Sequence, residues 1–165
     1  MRTPNRYLLL FFFVTVFISL ALGKQVFASE HPKKFTVITT VAPITNMVRN
    51  IGGVYIDVIG VVPDGVDSHT FEPIPSDIKT LQAADLIIAN GLDLELPTLK
   101  LAEKVKKPAT RVVQLGNRTL KEEDWQYDFS FPREHGHPNP HLWLNIQLVM
   151  QYAEIIRDSL SELDP

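Results

Sequence analysis

The sequence predicts an α/β protein built on an open four-stranded parallel sheet with flanking helices. Three observations carry this. Short β-branched or apolar runs alternate with segments of helical periodicity along most of the chain. One run, Tyr55–Val62, is apolar at nearly every position, as suits a strand covered on both faces. Helix-length segments separate the four strand-like runs, and such crossovers join parallel neighbours.

The elements follow in order. Phe35–Val41 is β-branched and bounded by Pro43, and reads as the first strand. In 43–51 the apolar residues Ile44, Met47, Val48 and Ile51 fall on one helical face, and Gly52-Gly53 ends the run. Tyr55–Val62 is the second strand, and Pro63–Pro73 is a loop. Pro75–Ala84 is a short helix with Pro75 or Ser76 near its N-cap. Asp85–Ala89 is the third strand, closed by the turn signal Asn90-Gly91. Leu94–Lys107 is a helix, with Pro97 in its first turn where a missing N–H costs little. Thr110–Leu115 is the fourth strand, and 116–140 is a long polar segment carrying a flexible His-Gly-His stretch. Leu142–Leu163 is amphipathic and predicts one helix, with Leu148, Tyr152, Ile155, Ile156 and Leu160 facing inward.

The N-terminus reads as an address. Arg2 and Arg6 precede 16 uncharged residues, Tyr7–Leu22, and small residues flank a cleavage point after Ala28. The run is shorter than the ~20 residues a membrane-spanning helix needs. A signal peptide over 1–28 leaves a body of 137 residues, and three cations leave with it. The net charge of −3 then becomes −6, from 13 basic against 19 acidic residues.

Composition narrows the chemistry. With a pI near 5.9 there is no electrostatic footprint for nucleic acid. The absence of cysteine removes disulfides, thiolate metal sites, a cysteine nucleophile and an N-terminal lipid-bearing cysteine. Gly-x-Ser-x-Gly, the P-loop and Gly-x-Gly-x-x-Gly are all missing. Adjacent Ser68 and His69 do not make a triad, which is a matter of geometry.

Five histidines remain as nitrogen ligands: His31, His69, His135, His137 and His141. His31 lies in a polar joint and reads as solvated. His69 sits in the loop leaving the second strand, and His141 lies after the fourth. Both segments belong to the carboxyl side of the sheet, where open α/β sheets bind ligands. Two neutral imidazoles suit a first-row metal; as a bare pair they equally suit loop braces. His135-Gly-His137 reads either as an auxiliary metal patch or as two exposed side chains. Asp64, Asp67 and Glu72 flank His69 and either orient it or solubilise the loop, and Asp67 also fits an Asx-type turn. Phe71 and Trp143 are expected in the crevice wall.

Four ordered segments carry a family resemblance: Val37–Ile44, Gly65–Pro73 with Pro75–Asp77, Ala84–Glu95 and Asn139–Asn145. The chain resembles the metal-binding solute receptors of zinc and manganese ABC importers, two-lobed proteins joined by a rigid helix. The resemblance implies that His69 and His141 are metal ligands and that no chemistry is catalysed. It implies Zn2+, or next Mn2+, as cargo handed to an ABC permease in the inner membrane. It makes 29–141 the N-terminal metal-binding lobe and 142–165 the start of the connecting helix. On this reading the chain is a truncated form whose second lobe, with the remaining ligands, is absent. Without a lipid-bearing cysteine, the expected location is the periplasm.

Three departures stand out. The family usually has Asp where Asn139 stands and often where Asn145 stands, and many members have Pro at the position of Ser68. Zinc-type members often carry a long His- and acid-rich loop where this chain has the short 122–137. The competing reading is a secreted metal-dependent hydrolase using the same two histidines, with Glu72 as general base.

Overall fold

A computed structural model of the chain describes residues 34–165. The expected signal peptide, its cleavage point and His31 lie outside the described residues. Four strands form one parallel sheet: β1 (Phe35–Thr39), β2 (Ile56–Gly60), β3 (Leu86–Ala89) and β4 (Arg111–Gln114). Their order is β2-β1-β3-β4. The chain therefore leaves β1 to one side and returns to build on the other. The helices are α1 (Ala42–Gly52), α2 (Pro75–Ala83), α3 (Leu96–Val105), α4 (Leu115–Thr119) and α5 (Ile146–Ser161).

Alternation along the inner strands explains both layers. Val37, Leu86, Ile88 and Val113 point to one face, where α1 and α5 pack, with Ile44, Val48, Tyr152 and Ile156 filling the core. Ile38 and Ile87 point to the other, against Leu81 of α2 and Ala102 of α3. β1 and β3 are thus covered on both faces, the arrangement expected of Tyr55–Val62. In β2 that reading fails on one side. It is an edge strand, its Asp57 is exposed and its Ile59 is 44% exposed.

Helix ends follow the local chemistry. Gly53, at φ 54°, closes α1. Pro75 is the first residue of α2 rather than its cap. Ile74 takes the cap position, and its N–H donates to Asp77 Oδ2 at 2.8 Å, while the Asp77 N–H returns to the Ile74 carbonyl. The expected single helix from Leu142 is broken. A 3-10 turn over Leu142–Leu144 comes first, and Asn145 then caps α5 by accepting from the Gln147 N–H at 2.9 Å. An Asn at this position stops and restarts the helix, which periodicity alone does not register. The segment 116–140 is not the free polar loop expected. The Asn139 N–H donates to the Gln126 carbonyl at 2.7 Å, the Asp128 N–H to that of Phe131, and Arg133 stacks over Tyr127.

The turn after β3 is the tightest point of the sheet's carboxyl end. Gly91, Leu92 and Asp93 all have positive φ, and the Leu94 N–H returns to the Gly91 carbonyl. The Leu92 N–H donates to Asn117 Oδ1, and a Cβ at Gly91 would stand 2.2 Å from that same oxygen. Gly65 also has positive φ but open space around it. Gly65→Ala is expected to cost only the backbone penalty of about 1 kcal/mol. Gly91→Ala is expected to cost at least twice as much, read as the difference in urea midpoints.

Candidate metal site

His69 and His141 meet although 72 residues separate them, with their Nε2 atoms 3.1 Å apart. A tetrahedral zinc holding two imidazoles at its usual 2.0–2.1 Å would set their nitrogens about 3.3 Å apart, so the pair is close to ligating geometry. Each ring is held by its own loop. Asp67 Oδ1 accepts the His69 backbone N–H at 3.0 Å, which is the Asx turn, not a bond to the ring. Asp64 and Glu72 hydrogen-bond to neither imidazole. For His141, Asn139 Oδ1 accepts the backbone N–H at 3.0 Å and faces ring Nδ1 at 2.8 Å. The second nitrogen of a ligating histidine is ordinarily occupied in this way.

Aromatic rings wall the pair. Trp143 meets His141 edge-on at 5.1 Å between centroids, and Phe131 lies 5.4 Å from His141 and 5.8 Å from His69. Trp143 is thus a wall residue as expected. Phe71 packs deeper, against both cores. Burial under these rings, with His69 adding to it, pushes the His141 pKa down, while Asp128 pulls the other way. The outcome favours neutral imidazole, the form that binds metal.

The auxiliary histidines stand apart from the pair. His135 and His137 line the same cleft as His69, together with Asp93, Phe131 and Pro140. His137 Nδ1 is engaged by Asp93 Oδ2 at 2.9 Å. Among the described residues, no group of three or more His, Asp or Glu side chains is placed to hold a metal ion.

Beneath the histidines lies a buried polar network. Glu95, 1% exposed, accepts at Oε1 from Thr40 Oγ1 (2.5 Å) and the Asn90 N–H (2.7 Å), and at Oε2 from the Gly91 N–H (3.2 Å). Asn90, fully buried, accepts at Oδ1 from the Tyr152 hydroxyl at 2.9 Å. Its Nδ2 donates to the carbonyl of Pro140, the residue before His141. The ends of β1 and β3, the start of α3, the middle of α5 and the His141 segment are tied at one point. Sequence reading registers Asn90 only as a turn and Glu95 only within a motif. Asp128 and Phe131 give no signal at all inside a polar segment.

The fold matches part of solved periplasmic metal-binding proteins. A family model described as zinc-uptake complex component A, periplasmic, matches residues 37–165, and the chain belongs to that family. It is 34% identical to the manganese ABC transporter substrate-binding lipoprotein PsaA of Streptococcus mitis, over 100% of this chain and 53% of that protein. It is 35% identical to the iron-binding protein YfeA of Yersinia pestis, over 83% of this chain and 42% of that protein. The periplasmic zinc-binding protein TroA of Treponema pallidum superposes with a TM-score of 0.70 at 28% identity, covering 81% of this chain and 46% of that one. The chain thus spans about half the length of the curated relatives it matches. The hydrolase alternative finds no support among these proteins. Several are named lipoproteins, so the comparisons do not support the expectation drawn from the missing cysteine. Among the described residues, no helix is long and apolar enough to cross a membrane.

Burial pushes the Glu95 carboxyl above its ordinary 4.5, and the donors from Thr40, Asn90 and Gly91 only partly offset this. The folded carboxyl keeps its proton to higher pH than the unfolded one. Its stabilisation is therefore complete below pH 4.5 and is lost as pH rises through the folded value. Glu95→Gln lacks that loss, so its urea stability relative to wild type is expected to improve from acid to neutral pH; a flat difference refutes this. Glu95→Ala, which strips three donors of their acceptor, is expected to cost about 3 kcal/mol or more at neutral pH.

Proposed function

We propose that this chain is the metal-capturing part of an extracytoplasmic solute receptor, with His69 and His141 as ligands to a divalent transition metal. The observation that carries the reading is the 3.1 Å approach of two Nε2 atoms from loops at opposite edges of the sheet. Two imidazoles in an aromatic wall suit capture and release of an ion rather than catalysis, and the relatives are named as a transporter substrate-binding lipoprotein and an iron-binding protein. The chain is therefore read as a binding protein and not an enzyme. Zinc is the favoured cargo, because two nitrogens begin a tetrahedral N-rich shell; manganese, which prefers oxygen, comes next. The relatives are named for manganese, iron and zinc in turn. The periplasm is the proposed location, and an ABC permease the proposed recipient.

Two imidazoles fill half of a four-coordinate shell. Water, His135, His137 or groups outside this chain would supply the rest. The shell's incompleteness sets the expected strength: zinc titration of the chain, followed by Trp143 fluorescence, is expected to give affinity weaker than micromolar. His69→Ala and His141→Ala are each expected to weaken it by about a hundredfold, the upper end of what losing a mere outer partner costs. Unchanged zinc affinity in both variants would remove the pair from the site.

A further inference from the structure

Asp128 lies outside the histidine pair, yet its hydrogen bonds lead straight to it. Oδ1 accepts the N–H groups of Ser130 (2.8 Å) and Phe131 (3.0 Å). Oδ2 accepts from Asn139 Nδ2 at 2.7 Å. An ionised carboxylate only accepts, so the Asn139 atom facing it must be the amino group. That leaves Asn139 Oδ1 facing His141, where it accepts the backbone N–H. An oxygen that also faces ring Nδ1 at 2.8 Å places the ring proton on Nδ1. His141 Nε2 then carries the lone pair, and it is this nitrogen that faces His69.

We propose that Asp128 is the positioning residue of the site: through Asn139 it fixes which nitrogen of His141 is free to take a metal ion. The proposal rests on His141 being a ligand, but the polarity it assigns exists in the chain itself. Asp128 also holds the backbone of Phe131, whose ring walls both histidines, so one carboxylate sets the tautomer and seats the wall. Aspartate at 128 and asparagine at 139 form a matched pair, since each supplies what the other lacks.

That matching generates a test by exchange. In Asp128→Asn, one carbonyl oxygen must serve both the Ser130 and Phe131 N–H groups and the Asn139 amino group. Either the loop or the amide loses its partner, and a flipped Asn139 would turn its amino group on His141. In Asn139→Asp, two carboxylates face each other at hydrogen-bond distance. In the double variant, Asp128→Asn with Asn139→Asp, the amide and the carboxylate change places. The amino group now at position 128 donates to the carboxylate now at position 139. That carboxylate still accepts both His141 N–H groups, and the amide oxygen at position 128 still accepts from Ser130 and Phe131. Every bond is restored, with its direction reversed between positions 128 and 139.

The experiment measures zinc affinity of the full chain and, without metal, the 15N imidazole signals that distinguish Nδ1–H from Nε2–H. Each single variant is expected to bind zinc about tenfold or more weakly, and the double to return within about threefold of wild type. His141 is expected as Nδ1–H in wild type and the double, with an Nε2–H population appearing in Asp128→Asn. A double as weak as the singles, or an Nδ1–H signal unaltered in Asp128→Asn with unchanged affinity, overturns the proposal. Should Asn139→Asp fail to fold, Asp128→Asn against the double decides alone, and equal affinities overturn it. If wild type binds no zinc, the ligand reading fails, and the metal-free tautomer signals still decide the positioning role.

Discussion

The buried contact of Glu95 with Thr40, Asn90 and Gly91 is the constraint on which the carboxyl end of the sheet depends. A carboxylate with 1% exposure survives there only because three donors converge on it. Those donors come from the ends of the two central strands, where the chain's path divides and the strand-end loops splay apart. Nothing in a parallel ladder pairs the amides just past its last residues, and Glu95 does so for the end of β3. Asn90 then carries the constraint outward. Its side chain takes the Tyr152 hydroxyl from α5 and holds the Pro140 carbonyl, so the helix and the His141 segment are fixed relative to β3. The strained turn of Leu92 and Asp93 is stored on this base, with the Leu92 side chain buried and its N–H held by Asn117.

A histidine pair built from distant loops needs such a base. His69 arrives from the crossover after β2 and His141 from the segment after β4, at opposite edges of the four-stranded order. Each loop is kept short of freedom by an Asx-type bond, from Asp67 in one and Asn139 in the other. Phe131 bridges the two rings, and it belongs to a third segment that Asp128 and Gln126 pin down. Three loops converge, but only because the network beneath fixes the floor from which two of them rise.

How much of this the sequence discloses depends on range. Strands and helices are written in local periodicity, so Phe35–Thr39, Ala42–Gly52 and Leu96–Val105 are legible within a residue or two. The two-sided cover expected of Tyr55–Val62 fails because edge position is a property of the whole sheet, and Asp57 is the one local hint. Asn145 restarts the last helix through a side-chain bond that no hydrophobic pattern encodes. In the site, His69 and His141 stand out by residue type and by their place after strands. Asp128, Phe131 and Asn90 do not, because their roles consist of contacts with residues far along the chain. The link from Asp128 through Asn139 to His141 is visible only once the loop is folded.

The two Nε2 atoms at 3.1 Å imply a further consequence of this geometry. In a hydrogen-bonded pair of imidazoles one nitrogen donates and the other accepts. With Asn139 placing the His141 proton on Nδ1, the accepting nitrogen is His141 Nε2 and the donor is His69 Nε2–H. A metal ion between the rings needs lone pairs from both, so it competes with that proton for the same space. A metal ion held there would need His69 Nε2 without its proton, whereas His141, in the proposed tautomer, already offers a lone pair. The two histidines are unequal by construction: Asn139 holds His141 at its backbone and at Nδ1 beside the Trp143 ring, whereas His69 stands exposed on its loop with no bond among the described residues at its own Nδ1 to match.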